Sequence, residues 1–155
     1  MLREMLGLNG GILTQLHEDH EEVAALLQKI LKASGAERIE LFKEMKTKLL
    51  AHADAEQKVL YKPMEKGEED AHDFALEGTV EHKLVHDLAD ELSRSTAKDG
   101  DQWTAKLTVL KEMIEHHVEE EESTGFKEAR KTFDGEELEK MRERFLREKE
   151  KLMAS

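Results

Sequence analysis

The sequence has no cysteine, a single proline (Pro63) and few aromatic side chains, 5% of the total. Without thiols there can be no disulfide, no thiolate metal site and no cysteine nucleophile. Few aromatics beside abundant Ala, Leu, Glu and Lys argue for helices and against a sheet protein. No apolar run approaches the roughly 20 residues that a membrane span needs. The opening stretch from Met1 to Gly7 contains Glu4 and too short an apolar run for a secretory leader, so a cytoplasmic protein is expected. Positive charge is also short, with 24 Lys and Arg against 36 Asp and Glu and a formal net charge of -12. Such a surface repels phosphate backbones and argues against nucleic acid as a partner.

What is present is helical periodicity. The 155 residues suit one domain, 1–155, with a core large enough to need no staples. The pattern predicts an all-α fold, an antiparallel up-down-up-down four-helix bundle over about 12–130, with a shorter C-terminal helix over about 134–152. The first helix is expected from about Ile12 to Lys32, after the breaker Asn9-Gly10-Gly11. The second runs from about Ala36 to Lys66, the third from about Glu69 to Thr96 and the fourth from about Gln102 to Arg130. Ser34 with Glu37, Asp99 with Gln102, and Asp134 with Glu137 each have the spacing of a capping box. The last helix offers Leu138, Met141, Phe145 and Leu152 for docking on its own bundle.

Spacings of three and four mark the buried seams. They read Leu13, Leu16, His20, Val23, Leu27, Ile30 in the first helix and Phe42, Met45, Leu49, His52, Glu56, Val59, Pro63 in the second. In the third they read Ala75, Gly78, His82, Val85, Ala89, Leu92, with His86 one turn beyond His82 on the adjacent flank. In the fourth they read Trp103, Leu107, Leu110, Ile114, His117, Glu121. Every seam is apolar except near its middle, where each helix turns a histidine inward and two helices add a glutamate. At about 1.5 Å of rise per residue these positions reach one layer of an antiparallel bundle, to within a turn. The seam also selects Glu121 from the four consecutive glutamates Glu119 to Glu122.

The halves repeat each other. His52-x3-Glu56-x4-Tyr61 matches His117-x3-Glu121-x4-Phe126, and Asp19-His20-x2-Val23 matches Glu81-His82-x2-Val85. Tyr61 and Phe126 are read as packing residues that mark the repeat. Asp19 and Glu81 could orient the histidines that follow them, but solvated surface charge is the preferred reading. His17 could support the same layer, while His72 and His116 are expected on the surface.

An unpaired carboxylate in an apolar seam costs several kcal/mol or neutralises itself. Two of them among five histidines invite a cation. Pairs at i and i+4 share a helix face and can chelate. The candidate ligands are His20, His52, Glu56, His82, His86, His117 and Glu121. Imidazole and carboxylate suit iron, manganese, zinc or copper, and seven ligands suit two ions. With about six positions per ion, five histidines, two bridging glutamates and a bridging oxygen leave about one position open for a small molecule.

Four pieces carry a resemblance: Leu16-His17-Glu18-Asp19-His20, His52-Ala53-Asp54-Ala55-Glu56, Glu81-His82-Lys83-Leu84-Val85-His86 and His116-His117-Val118-Glu119-Glu120-Glu121-Glu122. In this order and at these spacings they resemble the hemerythrin family, in particular bacterial hemerythrin-like proteins with the HHE cation-binding domain. The resemblance covers roughly Ile12 to Phe133. It implies two iron ions with a bridging oxo or hydroxo group. His82, His86 and His117 would hold one iron, His20 and His52 the other, and Glu56 and Glu121 would bridge. Oxygen carriers of the family typically end the last motif with an aspartate one residue later, where this chain has Glu121 at i+4, as many HHE domains do.

Two function classes follow. A binding protein would take O2 or NO at the open iron position, shielded by Val23, Leu49, Leu110 and Ile114. An enzyme would decompose H2O2 at the same centre. No general acid or base besides the ligands stands in the seams, which favours binding over turnover. A ferritin-like oxidase ranks lower, because those bundles use Glu-x-x-His pairs and the order here is His-x3-Glu. A partner-binding module with a purely structural metal is a fourth reading.

Overall fold

The computed structural model describes residues 10–96, 98 and 100–154; among them there is no strand, and helices carry the chain. Helix α1 is Gly11–Lys32. Helix α2 runs over Gly35–Glu56, widens into a π-helical turn at Gln57–Tyr61 and finishes as Lys62–Glu65. Helix α3 is Glu69–Arg94. Helix α4 runs over Asp101–Glu120, widens at Glu121–Gly125 and finishes as Phe126–Thr132. Helix α5 is Gly135–Ala154. The two π turns fall at matching places in the internal repeat, directly after Glu56 and at Glu121. No helix among the described residues is long and apolar enough to cross a membrane.

The helix ends follow local chemistry. Gly11 adopts φ +69°, and a Cβ there would stand 3.0 Å from the Leu138 Cβ, so α1 starts in close contact with α5. Asp134 and Glu137 form the expected reciprocal box: the Glu137 amide donates to Asp134 Oδ1 (2.8 Å) and the Asp134 amide to Glu137 Oε1 (3.1 Å). The box expected at Ser34 does not form. Ser34 is extended and makes no side-chain cap bond, because the chain turns at Gly35 with φ +60° instead. The expectations at Asn9 and Asp99 lie outside the described residues.

Packing divides the interior in two. One apolar cluster gathers Leu13, Leu16, Leu60, Met64, Phe74 and Phe126 with Met141 and Phe145 of α5. The other gathers Leu27, Ile30, Phe42, Met45, Trp103 and Leu107. The inward histidines and glutamates lie between these clusters. Helix α5 packs along α1 and α2, burying Leu138, Met141 and Phe145; Leu152, expected to turn inward as well, is exposed. The seam positions of α1 to α4 are buried as the period predicts, except Pro63 and His82, which are partly buried, and this fixes the facing of the polar residues within them.

Candidate metal centre

Six of the seven candidate ligands converge. His20, His52, Glu56 and Glu121 place one ligand atom each within 4.8 Å of one another, and Glu56, His82 and His117 do the same. Glu56 belongs to both groups. Its Oε1 is 2.9 Å from His82 Nε2 and 4.0 Å from His117 Nε2, and its Oε2 is 3.6 Å from His52 Nε2. Glu121 Oε1 is 3.0 Å from His20 Nε2, and Oε2 is 3.7 Å from His117 Nε2. Both glutamates are fully buried.

His86 is not brought to this layer. Its side chain is 39% exposed, and Nδ1 lies 3.3 Å from Asp90 Oδ2. The seam position of His82 points inward, and one further turn carries His86 onto the flank toward α2, where it meets surface acids.

Four buried atoms here have no hydrogen-bond partner: His20 Nε2, both oxygens of Glu56 and Glu121 Oε1. Orphaned polar atoms at this depth are costly, and four of them pointing into one space are the pattern that a cation relieves. The donor set, imidazole nitrogen with carboxylate oxygen, fits a transition metal.

The histidines are held in one orientation. The Nδ1–H of His20 donates to Glu122 Oε2 (2.6 Å), that of His52 to Asp19 Oδ2 (2.9 Å), that of His82 to Gln57 Oε1 (3.2 Å) and that of His117 to Glu81 Oε1 (2.6 Å). Each bond fixes the tautomer and turns Nε2 inward. Asp19 and Glu81 therefore act on the histidines, against the preferred reading of them as solvated charge. Glu122 was not foreseen, because it leaves the seam; a flexible side chain reaches His20 from the flank. It also bonds His17, whose Nδ1 lies 3.0 Å away, as a supporting role would have it.

Tyr61 corrects the sequence reading. Its hydroxyl donates to Glu121 Oε2 and lies 3.1 Å from His117 Nε2. The ring is fully buried and stacks on His82, with centroids 4.8 Å apart and planes at 5°. In a regular α-helix the fifth residue after Glu56 would sit about 140° around the axis from it. The π turn adds one residue to that turn and brings position i+5 onto the face of Glu56. Helical period alone could not find it; the repeated His-x3-Glu-x4-aromatic spacing was the available signal. Phe126 remains a buried packing residue.

The Tyr61 ring has a fitted seat. A Cβ on Gly78 would lie 2.5 Å from the ring's Cε2. Gly78→Ala should therefore destabilise the protein by about 1–3 kcal/mol. Thermal unfolding checks this, and an unchanged melting temperature would show that the ring is not seated there.

Charge balance is made locally. Burial alone would lower the pKa of His52, yet the charge of Glu56 and the bond to Asp19 hold it at about 10. Burial would likewise lower His117, but the facing Glu56 carboxylate and the bond to Glu81 hold it at about 10. Burial would raise the Glu56 carboxyl, while the facing histidines, His52 foremost, keep it well below the usual carboxylate range. For Tyr61, burial and the charges of Glu121 and Glu56 all push the phenol well above its ordinary value. Asp19 sits at about 2, since His52 and Lys149 outweigh its burial.

Beside the histidines is a cavity of about 30 Å³. Val23, Leu49, Val85, Ile114 and Val118 supply apolar walls, and His20, His52, His82 and His117 line it too. Three of the four expected shielding residues are present; Leu110 is buried in the core but does not line the cavity. The volume suits one water or one diatomic molecule.

Comparison with family models matches residues 11–129 to the hemerythrin HHE cation binding domain. Comparison with curated proteins and with solved structures gives no match.

Proposed function

This chain belongs to the hemerythrin family, and from that premise we propose that it is a non-haem di-iron protein that binds O2, or NO, in the small cavity beside the metal layer. His20, His52, Glu56 and Glu121 would hold one iron. His82 and His117 would hold the other, with Glu56 and Glu121 bridging. Tyr61 would stand beside that second iron with its hydroxyl protonated and donating to Glu121, on the side where the family resemblance had placed His86. The observation that carries this reading is the set of orphaned buried atoms on Glu56, Glu121 and His20, gathered around one shared carboxylate. A ferrous pair would supply two electrons and an open position for a small ligand. The protein's own part is to hold imidazoles by Nδ1, exclude water with valine, leucine and isoleucine, and keep a protonated hydroxyl at Tyr61.

The same reading takes α1 to α4 as an antiparallel four-helix bundle and residues 1–155 as one domain with α5 laid on it. Its support is that all four helices send side chains to one layer at similar distances from the connections.

Tyr61 favours a second reading. It places a proton-bearing group beside the ligands, where the sequence alone offered none. Decomposition of two H2O2 to O2 and two waters needs such a group.

The test is the visible spectrum of the anaerobically reduced, iron-loaded protein before and after adding O2. A new charge-transfer band that disappears under argon is the expected result. Irreversible oxidation, with O2 evolved on adding H2O2, would replace binding by turnover. A protein that takes up no iron would overturn both readings.

A further inference from the structure

Helix α5 begins at Gly135, past the family-matched segment 11–129. It nevertheless reaches the metal layer. Lys149 Nζ donates to both oxygens of Asp19, at 3.0 and 2.9 Å, and the two side chains are only 21% and 12% exposed. Asp19 Oδ1 takes a further bond from Gln15 Nε2 at 2.9 Å, and Oδ2 accepts from His52 Nδ1 at 2.9 Å. One turn before Lys149, the fully buried Phe145 ring meets the His52 ring edge-on, with centroids 5.5 Å apart at 80°. The ammonium of Lys149 stands 5.5 Å from the centre of that same ring. Two residues of α5 at i and i+4 thus grip His52, one through Asp19 and one directly.

The other three histidines are set differently. His20, His82 and His117 take their Nδ1 partners from Glu122, Gln57 and Glu81, which belong to α4, α2 and α3. The influence of α5 falls on one of the two positions, the one containing His20 and His52.

We infer that Lys149 is a positioning residue for His52, and that the C-terminal helix completes one metal position and leaves the other to the four preceding helices. This rests on the reading that the layer holds two ions. A carboxylate anchored at both oxygens cannot rotate away from the imidazole it orients, so the ring stays aimed at the metal. A free Asp19 can turn to solvent, and the ring turns with it. Outer partners of ligand histidines change metal affinity by roughly 10–100-fold. Lys149 acts through one more bond, so about tenfold is expected.

The experiment titrates full-length metal-free protein with Fe(II) under anaerobic conditions against a competing chelator, for the wild type, Lys149→Met and Lys149→Arg. Thermal melting of each metal-free variant reports on folding. The wild type should bind two ions. Lys149→Met should bind one ion as the wild type does and the other about tenfold more weakly, and Lys149→Arg should restore it. Two unchanged affinities in Lys149→Met would overturn the inference and leave the two-ion reading standing. An equal loss at both positions would overturn it too, as general destabilisation. A wild type that binds no iron would bring down the two-ion reading and this inference with it.

Discussion

Glu56→Ala should empty both metal positions at once. Glu56 belongs to both ligand groups found among the described residues, its side chain is fully buried, and neither oxygen has a hydrogen-bond partner. Loss of an outer partner alone costs roughly 10–100-fold in affinity, so a shared ligand should cost more, and retained iron should fall below about a tenth of the wild-type content. His72→Ala is the control. The His72 Nδ1 donates to the Glu65 carbonyl at 2.7 Å near the start of α3, away from the layer, and its loss should leave iron content unchanged. The measurement is metal analysis after anaerobic ferrous loading and desalting. Equal iron in Glu56→Ala and His72→Ala would remove Glu56 from the site.

Metal-free and iron-loaded protein should respond to pH in opposite directions. His52 and His117 sit at about 10 in the metal-free fold, against an ordinary value of 6.5. A raised histidine pKa contributes stability that is fully present below 6.5 and is lost as pH rises through 10. The metal-free protein should therefore weaken steadily from about pH 6.5 upward, by several kcal/mol in total. On the acid side the depressed Glu56 carboxyl contributes stability above its unfolded pKa that is lost as pH falls through its folded value. Metal binding requires those same histidines to be deprotonated. Loading should release about two protons, and the apparent affinity of the pair should rise up to about a hundredfold per pH unit. Melting temperatures measured from about pH 6.5 to 9 should fall for the metal-free form and hold or rise for the loaded form. Parallel curves would show that these histidines do not exchange protons for metal.

The seams were legible because burial in an α-helix is periodic. Spacings of three and four turned His20, His52, His82, His117, Glu56 and Glu121 to the interior, and the structure gathers all six. The same rule chose Glu121 over its three neighbours, and it located the Asp134–Glu137 cap, whose two bonds depend only on residues three apart. Ser34 shows the limit of such local signals. Gly35 took over the turn with a left-handed conformation, and the serine side chain makes no cap bond.

The sequence by itself determined the helices, their buried faces and the polar layer, since each of these is set by angle and rise along one regular element. Tertiary structure alone decided what surrounds that layer. Tyr61 enters it because the helix leaves α geometry at Gln57–Tyr61, which shifts the phase that any period count assumes. Asp19, Glu81, Glu122 and Lys149 take part because long polar side chains reach across from other helices, and which helix stands opposite is not written in local spacing. His86 stays outside for the same reason: one turn along α3 is a small step in sequence, but it passes from the shared interior to a flank where Asp90 holds the ring.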